Sequence, residues 1–121
     1  MTSAEEVFQH HLSAFGEGDI DEILKDYTED TIVIYDDRIA RGLAEIRKFF
    51  SHWIEELLPP GCRFDLDRMQ VVDDLVFITW TAESERLLFE LGTDTFLIRE
   101  GKILRQTVAA KIRIKDVQAT E

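Results

Sequence analysis

The chain has 121 residues, of which 45% are hydrophobic, with a formal net charge of −11 and a single cysteine. This length and composition predict one folded domain with one core, and the acidic excess disfavours nucleic acid and anionic membranes as partners, because phosphate binding requires clustered Lys and Arg. The N-terminus has acids where a signal peptide needs bases, no apolar run is long enough to span a membrane and one cysteine permits no intrachain disulfide, so we expect a cytoplasmic protein.

The N-terminal half has the pattern of helices around one strand. Gly18 can end the first helix, and Asp19 can cap the second. The next segment is rich in β-branched residues, which favour a strand, and the helix after it is ended by "PPG". The predicted elements are a helix over residues 4–17, a helix over 20–27, a strand over 31–37, a turn over 38–42 and a helix over 43–58.

The C-terminal half has the pattern of a long antiparallel meander, with a tight turn at Glu100-Gly101. Helices followed by such a meander predict an α+β fold. We expect a cone-shaped roll in which a curved, mixed or antiparallel sheet wraps around the long helix and leaves a central pocket. Residues 1–115 would form this single domain and residues 116–121 a frayed tail. The predicted strands cover residues 63–72, 75–86, 87–99 and 102–114.

Three histidines occupy different positions on the predicted helices. On a helical wheel of residues 4–17, His11 lies inside the apolar arc and His10 lies toward its edge. His52 projects opposite to the apolar arc of the long helix and should be solvated. His11 is therefore either a core histidine bonded to a neighbour, since an unpaired ring would destabilise the fold by roughly 1–3 kcal/mol, or a residue that faces a pocket.

Two aspartates each extend an apolar row of a predicted strand. Period-two alternation places Asp36 on one face with Ile32 and Ile34, and Asp94 on one face with Phe96. Both carboxylates could therefore face the core and meet His11. In the alternative interpretation, Asp36 is a solvated acid at a strand end, and Asp94 pairs with a base such as Arg105.

Three stretches resemble a known superfamily. They are "AFGEGDIDEILKDYTEDTIVIYD", "RGLAEIRKFF" and "DTFLIREGKI". Together they resemble the nuclear transport factor 2-like superfamily, and more narrowly its SnoaL-like and ketosteroid isomerase-like branches. The resemblance spans nearly the whole chain and is specific for fold. The same fold hosts isomerases, cyclases, dehydratases, hydrolases and inert binding modules, so it does not by itself define a reaction.

The resemblance implies roles for three residues. Asp36 resembles the general base that moves a proton alpha to a carbonyl, and Asp94 resembles the protonated acid of the oxyanion hole. His11 stands where the isomerases place a tyrosine donor. Enolisation puts negative charge on a carbonyl oxygen, and preset donors stabilise that charge. Thr107 and Val108 occupy the last-strand position where related cyclases and epoxide hydrolases commonly carry an acid, often beside a tryptophan, which argues against both of those activities.

Two functions remain open at this point. The first is a cofactor-free and metal-free isomerase or lyase that acts on a small apolar carbonyl compound; it requires a raised pKa of Asp94 and a neutral His11. The second is a non-catalytic ligand-binding or dimerisation module, in which His11 and Asp94 form a buried ion pair. The meander strands are apolar on both faces, which predicts a homodimer through the outer sheet face. The expected pocket walls are Phe15, Tyr27, Ile34, Phe50, Trp53, Ile54, Trp80, Phe89 and Phe96.

Overall fold

The computed structural model describes residues 3–115. The tail expected at 116–121 lies outside the described residues and stays a prediction. None of the described helices is long and apolar enough to cross a membrane. The elements within residues 3–115 are α1 (Ala4–Glu17), α2 (Ile20–Leu24), β1 (Tyr27–Tyr35), β2 (Arg38–Arg41), α3 (Gly42–His52), a π-helical turn (Trp53–Leu57), β3 (Arg63–Val72), β4 (Leu75–Glu83), β5 (Leu87–Arg99) and β6 (Lys102–Ile114).

Helix α1 has the predicted bounds because both of its ends are capped. The backbone N–H of Glu6 donates to Ser3 Oγ, and the Glu6 carboxylate accepts from the backbone N–H of Ser3. This reciprocal pair satisfies donors that the first turn leaves free. Gly18 ends the helix in the left-handed conformation with φ of 69°, and the Asp19 side chain caps α2. Because both ends of α1 are fixed, the side of the helix that carries His11 faces the core.

Several predicted boundaries were wrong. Strand β1 ends at Tyr35 rather than at residue 37, and β4 ends at Glu83 rather than at residue 86. Helix α2 ends at Leu24, and β1 begins at Tyr27, because the backbone N–H of Ile103 donates to the Asp26 carbonyl over 2.7 Å and Tyr27 pairs with Ile103. Hydrogen bonding to β6 thus takes the place of a last helical turn. The segment 38–41, predicted as a turn, is strand β2, which pairs antiparallel with β1.

The strands within residues 3–115 form one open sheet in the order β2-β1-β6-β5-β4-β3. Neighbours pair antiparallel, except that β1 runs parallel to β6. The ladders of β3, β4, β5 and β6 carry register shifts, which bend strands and increase twist. The resulting curved sheet holds α1 and α3 against its inner face, so the predicted α+β roll with a curved mixed sheet is confirmed.

Helix α3 changes into a π-helical turn at the residue where it meets the core. The wider turn allows the consecutive residues Trp53 and Ile54 both to be buried. In other proteins, π-helical turns often occur at functional sites. The Trp53 ring packs against Trp80 and Phe89, with centroid distances of 6.2 and 5.8 Å. His52, one residue earlier, is exposed, as the helical wheel predicts.

Gly92 makes room for Trp80, which predicts a destabilising effect of adding one methyl group. A Cβ atom at Gly92 would lie 2.1 Å from Trp80 Cε2, so we expect Gly92→Ala to lower the free energy of unfolding by about 1–3 kcal/mol. Gly16 lies in α1 with nothing within 4 Å of an added Cβ, so Gly16→Ala should be neutral or stabilising by up to about 1 kcal/mol. Urea denaturation measures both; equal effects would contradict the close approach of Trp80 to Gly92.

Candidate functional site

A cavity of about 50 Å³ lies between α1, the end of α3 and the inner face of the sheet. It adjoins a cleft of about 150 Å³ beside the 58–64 loop, and the two spaces share Leu12, Phe15, Leu58 and Phe64. The cavity walls are mostly apolar. They are Phe8, His11, Leu12, Phe15, Phe49, Phe50, Trp53, Leu58, Phe64, Ile78, Trp80, Asp94, Phe96, Gln106 and Val108.

Helical and strand periodicity together bring the polar side chains to this cavity. On α1, the residues at i, i+3, i+4 and i+7 from Phe8 all line it, and His11 is the second of them. On the sheet, Asp94 of β5 stands between Ile78 of β4 and Val108 of β6. Gln106 is two residues before Val108 and therefore points to the same face.

Asp94 is a buried carboxylate held by two neutral donors. It is 8% exposed; Trp80 Nε1 donates to Oδ1 over 2.8 Å, and Gln106 Nε2 donates to Oδ2 over 2.9 Å. Burial raises the pKa of Asp94 to about 6, although both hydrogen bonds act in the opposite direction. Asp94 forms no ion pair within residues 3–115. The group is thus mostly ionised at pH 7 and takes up a proton on mild acidification.

A chain of hydrogen bonds leads from Asp94 to His11 through the cavity wall. The Tyr27 hydroxyl donates to Gln106 Oε1 over 2.5 Å, and Nδ1 of His11 lies 3.4 Å from the Tyr27 oxygen. Burial raises the pKa of Tyr27 well above its usual value, so its hydroxyl stays protonated. Asp94, Gln106, Tyr27 and His11 therefore form one buried polar network, and all of them except Tyr27 line the cavity.

His11 is neutral because of its surroundings. It is 5% exposed, and burial lowers its pKa to about 4, with a smaller contribution from the charge of His10. His10 lies between Asp26 and Glu22, with ring nitrogens 2.6 and 2.7 Å from their carboxylates. The hydrogen bond to Asp26 is the main cause that raises the pKa of His10. The helical wheel places His10 at the edge of the apolar arc. It could not predict the contacts of His10 with Asp26 and Glu22, because these contacts depend on how α1 packs against the α2 segment.

The buried ion pair of the alternative interpretation is not formed. His11 and Asp94 contact Tyr27 and Gln106 instead of each other. Arg105, the other expected partner of Asp94, donates to the backbone carbonyls of residues 30 and 104. The structure thus combines a raised pKa of Asp94 with a neutral His11, which is the combination that the catalytic hypothesis requires.

The predicted placement of Asp36 in the pocket is wrong. Asp36 is exposed in the β1–β2 turn with φ of 57°, and the structure does not bring it to His11 or Asp94. The side chains of β1 alternate between the two faces as predicted, but the face that points inward is the one with Val33, not the one with Ile34 and Asp36. Val33 is buried, whereas Ile34 is 43% exposed. Both rows of β1 are apolar, so the sequence offers no signal for choosing between them.

Five of the nine residues predicted to form the pocket wall line the cavity, and the other four do not. Phe15, Phe50, Trp53, Trp80 and Phe96 line it together with His11 and Asp94. Tyr27, Ile54 and Phe89 are buried in the core around it, so their predicted places as walls are wrong, as is that of Ile34. The polar cavity-lining residue that the sequence analysis missed is Gln106, which donates to Asp94. Its position two residues before Val108 on an inward row was the available signal.

A wider groove on the other side of α3 carries no comparable chemistry. It measures about 340 Å³ and lies between α3 and the β1–β2 hairpin, with exposed Arg38, Lys48 and His52 at its rim. No buried carboxylate or histidine lines it. Within residues 3–115, no group of three or more His, Cys, Asp and Glu side chains is placed to hold a metal ion.

The sequence profile of the SnoaL-like domain family matches residues 8–106. The chain therefore belongs to the SnoaL-like domain family. A comparison with curated proteins finds no match. The resemblance to the nuclear transport factor 2-like superfamily and its SnoaL-like branch is confirmed.

Solved structures with the same fold include enzymes and proteins of unknown function. The epoxide hydrolase/cyclase-like enzyme SalBIII, from pyran ring formation in the polyether salinomycin, has a TM-score of 0.77 at 20% identity, covering 93% of this chain and 95% of SalBIII. SMa1630 of Sinorhizobium meliloti, described as a polyketide cyclase, has a TM-score of 0.70 at 15% identity, covering 85% and 93%. An NTF-2 like protein of unknown function from Burkholderia xenovorans has a TM-score of 0.70 at 20% identity, covering 93% and 83%. These identities establish the fold alone.

The raised pKa of Asp94 predicts a specific pH dependence of stability. Its folded value of about 6 lies above the reference value of 3.8, so the folded state binds the proton more tightly and loses stability as pH rises through about 6. Relative to Asp94→Asn, the wild-type free energy of unfolding should fall by about 1 kcal/mol between pH 5 and pH 8.

Urea denaturation of both proteins across this pH range measures the difference. His11 also titrates, but it is present in both proteins and its contribution cancels. A difference between wild type and Asp94→Asn that stays constant with pH would contradict the raised pKa.

Proposed function

We propose that the cavity binds a small apolar carbonyl compound and that Asp94 moves a proton alpha to the carbonyl as a general base, without a cofactor. The protein would thus be an isomerase or a lyase. The observation that carries this proposal is an isolated carboxylate in an apolar cavity, with a pKa near 6 and no cationic partner among the described residues. A general base is most effective when its pKa lies close to the working pH, because it is then largely ionised and still basic enough to take a proton from the substrate.

The proposal reassigns one role from the sequence analysis. Asp36 stands in an exposed turn, which leaves Asp94 as the carboxylate that lines the cavity. At neutral pH, Asp94 accepts two hydrogen bonds as an anion, and an anion there disfavours an enolate oxygen beside it. We therefore assign to Asp94 the role of the base rather than that of the oxyanion donor.

The names of two structural neighbours support small-molecule chemistry on this fold. SalBIII is named for pyran ring formation, and SMa1630 is described as a polyketide cyclase. The acid that related cyclases commonly carry on the last strand is replaced here by Val108, which lines the cavity beside Asp94. Proton transfer by Asp94 alone is consequently the chemistry that this set of side chains supports best.

The proposal predicts catalysed hydrogen exchange at the carbon next to a carbonyl. With 2-indanone as the probe in D₂O, the wild-type protein should accelerate deuterium incorporation, and Asp94→Asn should reduce that acceleration by about 100-fold or more, because the base is lost. Proton NMR follows the exchange. The rate should rise with pH through about 6, the pKa of Asp94.

The matched control for this experiment is Asp36→Asn. It removes an equal charge from an exposed turn outside the cavity and should leave the exchange rate unchanged. If Asp94→Asn exchanges as fast as Asp36→Asn, Asp94 is not the base. If the probe binds to the wild type without faster exchange, the protein is a binding module.

That second function, a non-catalytic ligand-binding module, is favoured by one observation. The cavity measures only about 50 Å³, whereas a cavity that holds benzene measures about 150 Å³. A ligand must therefore extend into the adjoining cleft or displace side chains such as Leu12 and Phe15, which line both spaces. The contacts of His11 and Asp94 still differ from those of an inert core, since the two side chains are not bonded to each other.

We further propose that the protein forms a homodimer through the outer face of the sheet. Leu75 and Phe77 of β4 and Leu91 of β5 are 44%, 39% and 49% exposed on the side opposite the helices. The outer residues between them on β4 and β5 are threonines and Leu97. Glu90, beside Leu91, pairs with Lys111 and Arg113 of β6 and borders this apolar patch. A second copy of the chain would cover these side chains.

The dimer proposal predicts a mass of two chains in sedimentation equilibrium at micromolar concentration. Phe77→Asp places a charge in the centre of the exposed apolar patch and should shift the equilibrium to the monomer. Ile114→Asp, at the far end of β6 and 72% exposed, serves as the control and should remain dimeric. A wild-type monomer under these conditions would contradict the proposal.

A further inference from the structure

We propose that His11 selects ligands carrying a hydroxyl group, because the hydrogen-bond chain from Asp94 through Gln106 and Tyr27 leaves His11 Nε2 as an unprotonated acceptor facing the cavity. The ligand class is thus a small carbonyl compound that also carries a phenolic or enolic hydroxyl, with its O–H directed at His11. This inference rests on the proposed use of the cavity as the ligand site, and it adds the chemistry of one group of the ligand.

The direction of the chain is set at Asp94. An ionised carboxylate only accepts hydrogen bonds, and an indole N–H only donates. Trp80 therefore donates to Oδ1, and the Gln106 amide must present Nε2 to Oδ2. This orientation turns Gln106 Oε1, an acceptor, toward Tyr27. The Tyr27 hydroxyl must then donate to Gln106, as the distance of 2.5 Å indicates.

The contact between Tyr27 and His11 favours one neutral tautomer of His11. Because the Tyr27 hydrogen is directed at Gln106, only lone pairs of the Tyr27 oxygen are available to His11 Nδ1, 3.4 Å away. A neutral imidazole carries one proton, and this contact favours the proton on Nδ1. Nε2 then carries a lone pair. Gln106 and Tyr27 are positioning residues in this arrangement, since they act on the ligand through His11.

Nε2 of His11 is reached from the cavity. It makes no hydrogen bond within residues 3–115, and His11 lines the cavity. In the same part of the chain, Trp53 Nε1 is the one fully enclosed side-chain nitrogen or oxygen without a partner, so Nε2 is not enclosed. A ligand that places a hydroxyl donor against Nε2 satisfies this acceptor. A ligand that places only an ether or ketone oxygen there leaves it unsatisfied and binds less tightly, whereas a carbonyl elsewhere in the ligand is not affected.

Adding a proton to Asp94 reverses the chain. Trp80 is held over Gly92 and keeps its bond to Oδ1, so the added proton lies on Oδ2 and donates to Gln106 after its amide turns over. Gln106 then donates to Tyr27, and Tyr27 donates to His11 Nδ1. His11 loses the Nδ1 proton and takes one from water at Nε2, so the ring stays neutral and becomes a donor toward the cavity.

Asp94→Asn imitates the protonated state and provides the test. Its carbonyl must face Trp80, so its amide donates to Gln106 and the chain is reversed permanently. Nitrogen-15 NMR of the histidine side chains distinguishes the two neutral tautomers, and His11→Gln identifies the His11 signals. We expect the Nδ1–H tautomer in wild type at pH 7.5 and the Nε2–H tautomer in Asp94→Asn.

A second variant separates the chain from other effects of the substitution. Tyr27→Phe removes the link between Gln106 and His11, so adding Asp94→Asn to it should leave the tautomer unchanged. Wild type at pH 5 gives the same comparison without a substitution in the chain. The titratable groups around the network are His10 and Asp26, besides Tyr27, His11 and Asp94 themselves. Repeating the titration in His10→Gln shows whether His10 and its contact with Asp26 contribute.

Ligand affinity provides an independent readout. We use p-cresol, which donates, and 4-methylanisole, which only accepts. Wild type at pH 7.5 should bind p-cresol about three- to tenfold more tightly, the range of one neutral hydrogen bond, and Asp94→Asn should lose this preference. An Nε2–H tautomer in wild type, an unchanged tautomer in Asp94→Asn, or equal affinity of wild type for the probes would overturn the proposal. Absence of 2-indanone exchange alongside the expected tautomers would reject the proposed reaction and leave this inference standing.

Discussion

The burial of the Asp94 carboxylate determines the properties of the whole cavity. An ion without a counter-ion is unfavourable in an apolar interior, and it is tolerated only when hydrogen bonds satisfy it. Trp80 and Gln106 supply those bonds. Other residues hold these two donors in position. Gly92 leaves the space that the Trp80 ring occupies, and the Tyr27 hydroxyl donates to Gln106. The position of one carboxylate thus dictates several residues on three strands.

The two titratable groups of the cavity wall have pKa values shifted by the same cause in opposite directions. Burial disfavours the charged form of each, which raises the pKa of Asp94 to about 6 and lowers that of His11 to about 4. The ion pair that would reverse both shifts is not formed. An imidazole and a carboxylate therefore stand in one network while only the carboxylate changes charge near neutral pH, which suits proton transfer by a single group.

The sequence predicts the fold better than it predicts the site. Helix α1, the four strands of the meander and the inward phase of His11 and Asp94 follow from periodicity and capping, because each depends on local spacing. Asp36 was misplaced because Val33 and Ile34 are equally apolar, and the choice of face is made by tertiary packing. Strand alternation could have placed Gln106 on the inner face, but its bonds to Tyr27 and Asp94 could not be predicted, since they join β1, β5 and β6, which are distant in the chain. The short helix α2 was overextended for the same reason, since β6 pairs with Tyr27.

The central claim is that Asp94 is a buried carboxylate that lacks a cationic partner. Carbon-detected NMR titration of the Asp94 side-chain carboxyl tests it most directly, with Asp94→Asn to assign the signal. The account predicts a midpoint near 6. A midpoint at or below the value of about 3.9 for a free aspartate would mean that a positive charge or further donors stabilise the anion, and it would contradict the account.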